Sequence, residues 1–261
     1  MKIIHLNNAD TSGGAARAAY RIHRSLLSKG LNSLMRVNFE NSGDWTVIGP
    51  KGKLKKAFSQ IRRHLVFPFL KLMQTQNSIL HSPAILPSSW SKSVNNSDAD
   101  IVHLHWIGGE MLSISDIGKI KKPVVWTLHD MWAFCGAEHV SWDERWQEGY
   151  TNKNRPSSER GFDLNRWVWK RKLRHWSKPF HIVAPSQWLA DCAQDSVIMK
   201  DWPITVIPNC IDTQIWKPVD RILARKLLGL PLEVPLIAFG TYGANSEYHK
   251  GFDLLVEAFN H

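Results

Sequence analysis

Short apolar runs alternate with longer segments of helical periodicity along most of the chain. Six of these runs are four or five residues long and rich in branched side chains, which favour buried strands: 3–6, 33–37, 101–105, 124–128, 181–184 and 204–207. Each run is followed by a loop and then by a helical pattern. This alternation is typical of a parallel sheet covered by helices, so the predicted fold class is α/β.

A glycine pair separates the first predicted strand from the first predicted helix. Gly13 and Gly14 precede residues 15–27, which are rich in helix-favouring Ala, Leu and Arg, and Gly30 is the expected end of that helix. A strand, a glycine loop and a helix place backbone N–H groups and the positive helix end where an anion can bind. Paired glycines also precede helices for turn geometry alone, so both interpretations stay open.

A domain boundary is predicted after residue 212. Residues 1–212 then form the first domain, and residues 213–234, which contain a short helical pattern at 221–228, form a linker. Residues 235–240 are predicted to be the first strand of a second α/β domain, with a helix beginning at Phe252. One strand and one helix do not make such a domain, so we expect the second domain to be incomplete in these 261 residues.

Composition indicates a folded protein that attracts anions. The chain is 43% hydrophobic and 21% charged, with a net charge of +10, and nucleic acid, anionic lipid and phosphorylated metabolites all suit such a surface. Cys135, Cys192 and Cys210 show neither disulfide nor zinc spacing, which favours a reducing cytoplasm. The first residues lack a signal-peptide pattern, and no apolar run approaches the ~20 residues that span a bilayer.

Two segments combine basic and aromatic residues without acidic ones. Residues 51–71 have the composition of an amphipathic helix on an anionic membrane, and a solvated surface explains them equally well. Residues 166–174 carry Trp167 and Trp169 among five basic residues. For this second segment we expect the tryptophans to pack inward and the charges to be solvated.

His129 and Asp130 follow a predicted buried strand at its carboxyl end, the edge at which open α/β sheets bind ligands. A histidine there can hydrogen-bond a hydroxyl or stabilise developing positive charge, with Asp130 orienting its ring. The two residues also suit the cap of a following helix. His103 and His105 share one face of another strand, but the nearby sequence supplies no third ligand, and we expect hydrogen-bonded histidines rather than a metal site.

Several segments together resemble glycosyltransferase family 4 enzymes of the GT-B fold, in particular the branch that makes bacterial exopolysaccharides such as colanic acid. The resemblance spans essentially the full chain, and its carriers are residues 12–19, 100–106, 127–134, 183–189, 207–212 and 249–255. It implies two Rossmann-like domains facing a cleft, with the acceptor bound mainly by residues 1–212 and the nucleotide sugar mainly by the second domain. It also implies retention of anomeric configuration and no metal or other cofactor.

The resemblance assigns roles to particular residues. Gly13 and Gly14 match the loop that approaches the donor diphosphate, and Lys250 matches the lysine that neutralises the departing diphosphate. His129, with Asp130 beside it, matches the histidine near the transferred sugar. The implied partners are a UDP- or GDP-sugar and a saccharide acceptor. A lipid-linked form of that acceptor would place the protein in the cytoplasm at the inner face of the membrane.

Two departures from the family pattern limit these expectations. Thr241 and Tyr242 stand where many relatives carry an arginine, and the paired glutamates that hold the donor would lie beyond residue 261. We therefore expect the isolated chain to be inactive or weakly active. The alternative functions are a non-catalytic saccharide-binding module and a basic nucleic-acid-binding module. A Rossmann dehydrogenase is disfavoured because the first glycine loop lacks the Gly-x-Gly-x-x-Gly spacing.

Overall fold

The computed structural model describes residues 1–240 and 250–260. Within this part of the chain there are two compact units, Met1–Cys210 and Ile211–His261. The division falls two residues before the predicted end of the first domain. In the described residues, no helix has both the length and the apolar character that a membrane crossing requires.

Seven strands of the first unit form one parallel sheet, and two more form a small antiparallel pair. The strands are β1 (Lys2–Ala9), β2 (Asn32–Phe39), β3 (Val47–Ile48), β4 (Met73–Gln74), β5 (Ile101–Leu104), β6 (Val124–Thr127), β7 (Arg160–Gly161), β8 (His181–Ala184) and β9 (Ile204–Val206). The helices are α1 (Gly14–Ser28), α2 (Lys53–Leu65), α3 (Phe67–Leu70), α4 (Trp90–Asn95), α5 (Ile114–Gly118), α6 (Arg145–Glu148), α7 (Leu164–His175), α8 (Gln187–Asp195), α9 (Arg221–Leu227) and α10 (Phe252–Phe259).

The order of strands places a crevice in the middle of the sheet. The order is β3-β2-β1-β5-β6-β8-β9, with β4 paired to β7 outside it. Strands β2 and β3 are added in turn on one side of β1. The chain then crosses to the other side of β1, where β5, β6, β8 and β9 are added in turn. In doubly wound folds this reversal opens a crevice at the carboxyl ends of the two central strands, here β1 and β5.

The predicted α/β class is confirmed, and all six predicted strands of the first unit belong to the parallel sheet. The predicted first helix is α1, and Gly30, at φ 76°, donates its N–H to the carbonyl of Leu27 just beyond the helix end. The sequence pattern missed β3, β4 and β7, because a two-residue strand is too short to show a period.

The core lies on both faces of the central strands. Leu6 on β1, Leu104 on β5 and Trp126 on β6 are buried, and so are Ile114 and Ile117 of α5. Strands buried on both faces need apolar residues at nearly every position, which is why these runs were visible in the sequence.

The segment 166–174 packs much as expected, with one exception. On α7, Trp169 is buried and Trp167 packs against the core, while the guanidinium of Arg171 lies 4.6 Å from the Trp167 ring centre. Lys172, which was expected to be solvated, is instead completely buried. That expectation was wrong because three backbone carbonyl groups of the protein replace water around its ammonium group.

The second unit contains α9 and α10, and α10 begins at Phe252 as predicted. Residues 235–240 do not form the predicted strand. A strand is defined by pairing, and no other segment among the described residues of this unit is a strand that could pair with 235–240. The apolar run alone was therefore not sufficient for a strand.

Candidate functional site

The carboxyl ends of β1, β5 and β6 meet at one edge of the sheet. Two hydrogen bonds cross the crevice between β1 and β5. The backbone N–H of Asn8 donates to the Trp106 carbonyl over 2.8 Å, and the backbone N–H of Trp106 donates to Asn7 Oδ1 over 2.7 Å. His129 and Asp130 follow β6 at the same edge. The predicted site residues of the first unit thus lie where a doubly wound sheet binds ligands.

His129 is half-buried at the end of β6, and its Nε2 lies 3.3 Å from Nδ1 of His105. Burial lowers the pKa of His129 to about 4, although the charge of Asp130 raises it in part. The imidazole is therefore neutral at pH 7, with one nitrogen that donates and one that accepts a hydrogen bond. The space beside His129 is only about 10 Å³, enough for about one water, so any larger ligand would have to approach from the outer side of the ring.

Asp130 forms its hydrogen bonds with residues other than His129, so an orienting hydrogen bond between the two is not present among the described residues. Its Oδ2 accepts hydrogen bonds from Trp106 Nε1 over 2.9 Å and from His139 Nδ1 over 2.6 Å, and its Oδ1 accepts one from the Trp132 amide over 3.0 Å. The segment after Asp130 is irregular, so neither residue caps a following helix. Asp130 instead ties this irregular loop to the end of β5.

His139 is the residue near Asp130 that sequence analysis missed. Its second nitrogen, Nε2, lies 2.8 Å from Ser82 Oγ, so the ring links Asp130 to a different part of the chain. Burial raises the pKa of Asp130, but the charge and hydrogen bond of His139 and the Trp132 amide outweigh it, and the pKa is below its usual value. No periodic pattern in the sequence identifies His139, because the nine positions from Asp130 to His139 belong to an irregular loop.

Asp130→Asn should destabilise the first unit by about 1–3 kcal/mol, because an amide offers one acceptor oxygen where the carboxylate uses two. Urea unfolding followed by tryptophan fluorescence measures this loss. Asp201→Asn, at an exposed position, is the control and should leave the midpoint unchanged. An Asp130→Asn midpoint equal to that of the parent chain would show that these hydrogen bonds do not hold the loop.

Three buried imidazoles lie directly below this edge. His5 on β1 joins His103 and His105, and one nitrogen from each falls within 4.8 Å of the others. His5 was not predicted to join this pair, because it precedes the pair by about 100 residues and meets it only through the pairing of β1 with β5. His5 Nδ1 and His105 Nε2 are 2.9 Å apart, His103 Nε2 bonds Thr127 Oγ1 over 2.8 Å, and His105 Nδ1 faces His129, so hydrogen bonds already occupy four of the six ring nitrogens. The absence of a cofactor stays a prediction.

The glycine pair opens α1 at the carboxyl end of β1. Gly13 has φ 90°, a conformation that side chains disfavour, and a Cβ on Gly13 or Gly14 would meet no atom within 4 Å. Space beside the pair is therefore open. A cavity of about 630 Å³ lies at this edge, lined by Asn8, Ala9, Ser12, Phe39, Asn41, Gln60, Ile61, Arg63 and His64.

A second and larger cavity lies on the other side of α2. This basic groove, as we call it, has a volume of about 960 Å³ and five cationic residues in its lining: Arg36, Lys51, Lys55, Arg62 and Lys92. Its apolar lining includes Leu54, Phe58 and Trp90, and no acidic residue is among the described residues that line it. Arg62 anchors α2 by donating to the carbonyls of Leu86, Pro87 and Glu110.

The remaining predicted site residue, Lys250, belongs to the second unit. It is exposed and stands two residues before the start of α10. Thr241 and Tyr242, at the departure from the family pattern, lie outside the described residues, as does His249.

The chain has a doubly wound parallel α/β fold, a class of fold in which ligands bind at the carboxyl ends of the strands. Residues 12–215 match the family model described as Glycosyltransferase Family 4. The chain belongs to this family. None of the curated proteins matches the chain.

Two solved structures are similar to the chain at low identity. One is the crystal structure of Anabaena Alr3699/HepE in complex with UDP and glucose, with 16% identity, a TM-score of 0.44, and coverage of 88% of this chain and 50% of that one. The other is Anabaena Alr3699/HepE in complex with UDP, with 14% identity, a TM-score of 0.40 and the same coverage. The chain thus spans about half the length of these proteins.

Proposed function

We propose that this chain contributes to a retaining glycosyltransferase that transfers a hexose from a UDP- or GDP-sugar to a saccharide acceptor in bacterial exopolysaccharide biosynthesis. The observation that carries the proposal is the family match over residues 12–215, within which His129 stands at the carboxyl edge of the sheet. The transfer needs no cofactor in this proposal, since the nucleotide sugar is itself the activated substrate.

His129 is the proposed catalytic residue. Its neutral ring contacts the transferred sugar from the crevice edge and offers one hydrogen bond to a sugar oxygen. Asp130 is a positioning residue that acts through the irregular loop, since both of its oxygens are engaged by Trp106, Trp132 and His139. In this proposal His129 alone contacts the sugar, whereas the sequence led us to expect His129 and Asp130 to act as a pair.

The donor diphosphate is the proposed ligand of Gly13, Gly14 and Lys250. Open space at the glycines lets a phosphate approach the backbone N–H groups at the start of α1, where the helix dipole favours negative charge. Lys250 would stabilise the charge that accumulates on the departing diphosphate. Residues 1–212 would bind mainly the acceptor, and residues from 235 onward mainly the donor.

The acceptor is proposed to be lipid-linked, with the protein in the cytoplasm at the inner face of the membrane. The support comes from α2, whose Leu54, Phe58, Ile61 and Leu65 are about half or more exposed beside the cationic residues of the basic groove. Exposed apolar side chains among Lys and Arg are typical of a helix that lies on an anionic membrane.

The test compares the 261-residue chain with a fusion that adds the donor-binding half of a family member at its C-terminus. Hydrolysis and transfer are measured with a panel of UDP- and GDP-sugars. We expect activity in the fusion, little or none in the chain alone, and a loss of about 10²–10⁴-fold on His129→Ala. His181→Ala, at the opposite end of the neighbouring strand β8 and exposed, is the matched control and should retain activity.

Two outcomes would contradict the proposal. A fusion that is silent with every donor, while the chain still binds saccharide, would favour a non-catalytic saccharide-binding module. A silent fusion together with salt-sensitive binding of random DNA would favour a nucleic-acid-binding module.

A further inference from the structure

A line of hydrogen-bonded imidazoles runs from His129 into the core. His129 Nε2 faces His105 Nδ1 at 3.3 Å, and His105 Nε2 faces His5 Nδ1 at 2.9 Å. The ring centres of His129 and His105 are 5.5 Å apart with 29° between the ring planes, and those of His105 and His5 are 5.2 Å apart with 20° between the planes. We call these three residues the imidazole line. The site at the sheet edge is thus connected to a side chain that no substrate reaches.

Hydrogen bonding restricts the imidazole line to two arrangements. A neutral imidazole has one N–H donor and one bare acceptor nitrogen, so a ring that donates on one side must accept on the other. The three rings therefore all donate inward or all donate outward. In the inward arrangement, the outer nitrogen of His129, Nδ1, is a bare acceptor, whereas in the outward arrangement it carries a proton and is a donor.

The rings are neutral because the fold removes them from water. Burial lowers the pKa of His5 and His105 well below the usual value, and neighbouring histidines lower each further. His5 and His105 are 0% and 2% exposed, so an imidazolium in either position would be a buried charge without a carboxylate partner in the line. With all three rings neutral, the imidazole line has only the inward and the outward arrangement of hydrogen bonds.

The inner end of the line decides between these states. His5 Nε2 is buried and has no hydrogen-bond partner in the part of the chain that the structure describes. It would be an orphaned N–H in the inward arrangement and an orphaned lone pair in the outward one. Orphaned buried N–H groups are rarer in proteins than under-satisfied acceptors, which favours the outward arrangement.

We propose that His5 and His105 are positioning residues that hold the proton of His129 on Nδ1, so that a neutral His129 presents an N–H donor at the sheet edge. His5 Nδ1–H donates to His105 Nε2, and His105 Nδ1–H donates to His129 Nε2. The class of ligand atom that suits such a donor is a sugar hydroxyl or ring oxygen. This inference rests on the proposed function for its consequence, but the tautomer itself exists without substrate.

Two variants of His5 separate positioning from packing. His5→Asn keeps a side-chain N–H donor near the place of Nδ1 and should preserve the outward direction. His5→Asp has the same shape as His5→Asn, but its carboxylate can only accept a hydrogen bond, so His105 Nε2 must donate to it and the direction of the line reverses. A purely structural role for His5 would leave the tautomers of His105 and His129 the same in these two variants of equal shape.

Long-range ¹H–¹⁵N NMR of the ¹⁵N-histidine-labelled chain at pH 7 measures the tautomers directly. We expect His129 and His105 to be Nδ1–H tautomers in the parent chain and in His5→Asn, and both to become Nε2–H tautomers in His5→Asp. Nε2–H tautomers at His129 and His105 in the parent chain would overturn the inference, as would identical spectra for the two variants at these rings.

A bound metal ion is the competing explanation for the clustered histidines. One equivalent of a transition metal in the purified chain, with ¹⁵N shifts of His5, His103 and His105 that change on chelation, would replace the imidazole line by a metal site. Transfer by the fusion protein is a separate readout. A silent fusion with the expected tautomers would reject the proposed function alone, whereas an active fusion with Nε2–H tautomers would reject this inference alone.

Discussion

Lowering the pH from 7 to 4 should unfold the Met1–Cys210 unit in one cooperative transition. The cause is the group of buried neutral histidines: burial lowers the pKa of His103 to about 3 and that of His129 to about 4, against about 6.5 in an unfolded chain. Between the folded-state and unfolded-state pKa values, these histidines are protonated in the unfolded chain and neutral in the folded chain. Stability is therefore complete above about pH 6.5 and falls as the pH drops towards the folded-state pKa values.

The magnitude is large relative to the stability of a domain. A shift of one pKa unit corresponds to about 1.4 kcal/mol, so protonation of the unfolded chain lowers the stability by about 3 kcal/mol at each of His129 and His103 by pH 4, and by about 5 kcal/mol at His103 only below about pH 3. Single domains are stable by about 5–15 kcal/mol. His5 and His105, whose pKa values are also lowered by burial, act in the same direction.

Far-UV circular dichroism and tryptophan fluorescence across pH 7 to 3 measure this transition. His103→Gln removes one histidine that is protonated in the unfolded chain but not in the folded one, so the midpoint of unfolding should move to lower pH. His64→Gln, at an exposed position, should leave the midpoint unchanged. Carboxylates affect stability only at lower pH. For Asp44, burial raises the pKa, but hydrogen bonds with Thr46 and Tyr20 and the charge of Arg24 outweigh it and lower the pKa to about 2. Unfolding only below pH 4 would therefore assign it to carboxylates and contradict the prediction.

The features that sequence analysis located are those that depend on local pattern. β1, β5 and β6 were visible because both faces of a central parallel strand are apolar. Their shared edge follows from the parallel strand direction, and the sequence therefore placed His129 and Asp130 at the candidate site. The start of α1 directly after the glycine pair was also predicted from a local pattern.

The features that were missed depend on contacts between distant residues. His5 reaches His105 only because β1 pairs with β5, and His139 reaches Asp130 through an irregular loop without period. Residues 235–240 have the apolar character of a strand, but pairing decides strand formation and no pairing is present among the described residues. Local patterns predicted the positions of the site residues, whereas their hydrogen-bond partners required the fold.

Lys172 is the clearest case of a residue whose charge misled the prediction. Its Nζ donates to the carbonyl oxygens of Trp132, Cys135 and Gly136, at 2.9 Å and 2.7 Å for the latter two, and lies 4.1 Å from the Trp132 ring centre. Burial lowers its pKa, although nearby Cys135 and Glu138 raise it in part. One ammonium thus satisfies three carbonyls of the loop that follows Asp130 and attaches that loop to α7.

Replacing Lys172 by methionine should therefore cost about 3–5 kcal/mol of stability, because the apolar stem remains while three buried carbonyls lose their donor. Urea unfolding gives the loss, and Lys170→Met, two residues earlier on α7 and exposed, is the matched control that should leave the midpoint in place. Because the loop carries Trp132 next to the Asp130 carboxylate, the fusion protein with Lys172→Met should also lose transfer activity at temperatures where it remains folded. A methionine variant as stable as the parent would mean that water or a rearranged backbone satisfies the carbonyls, and that the ammonium does not hold the loop.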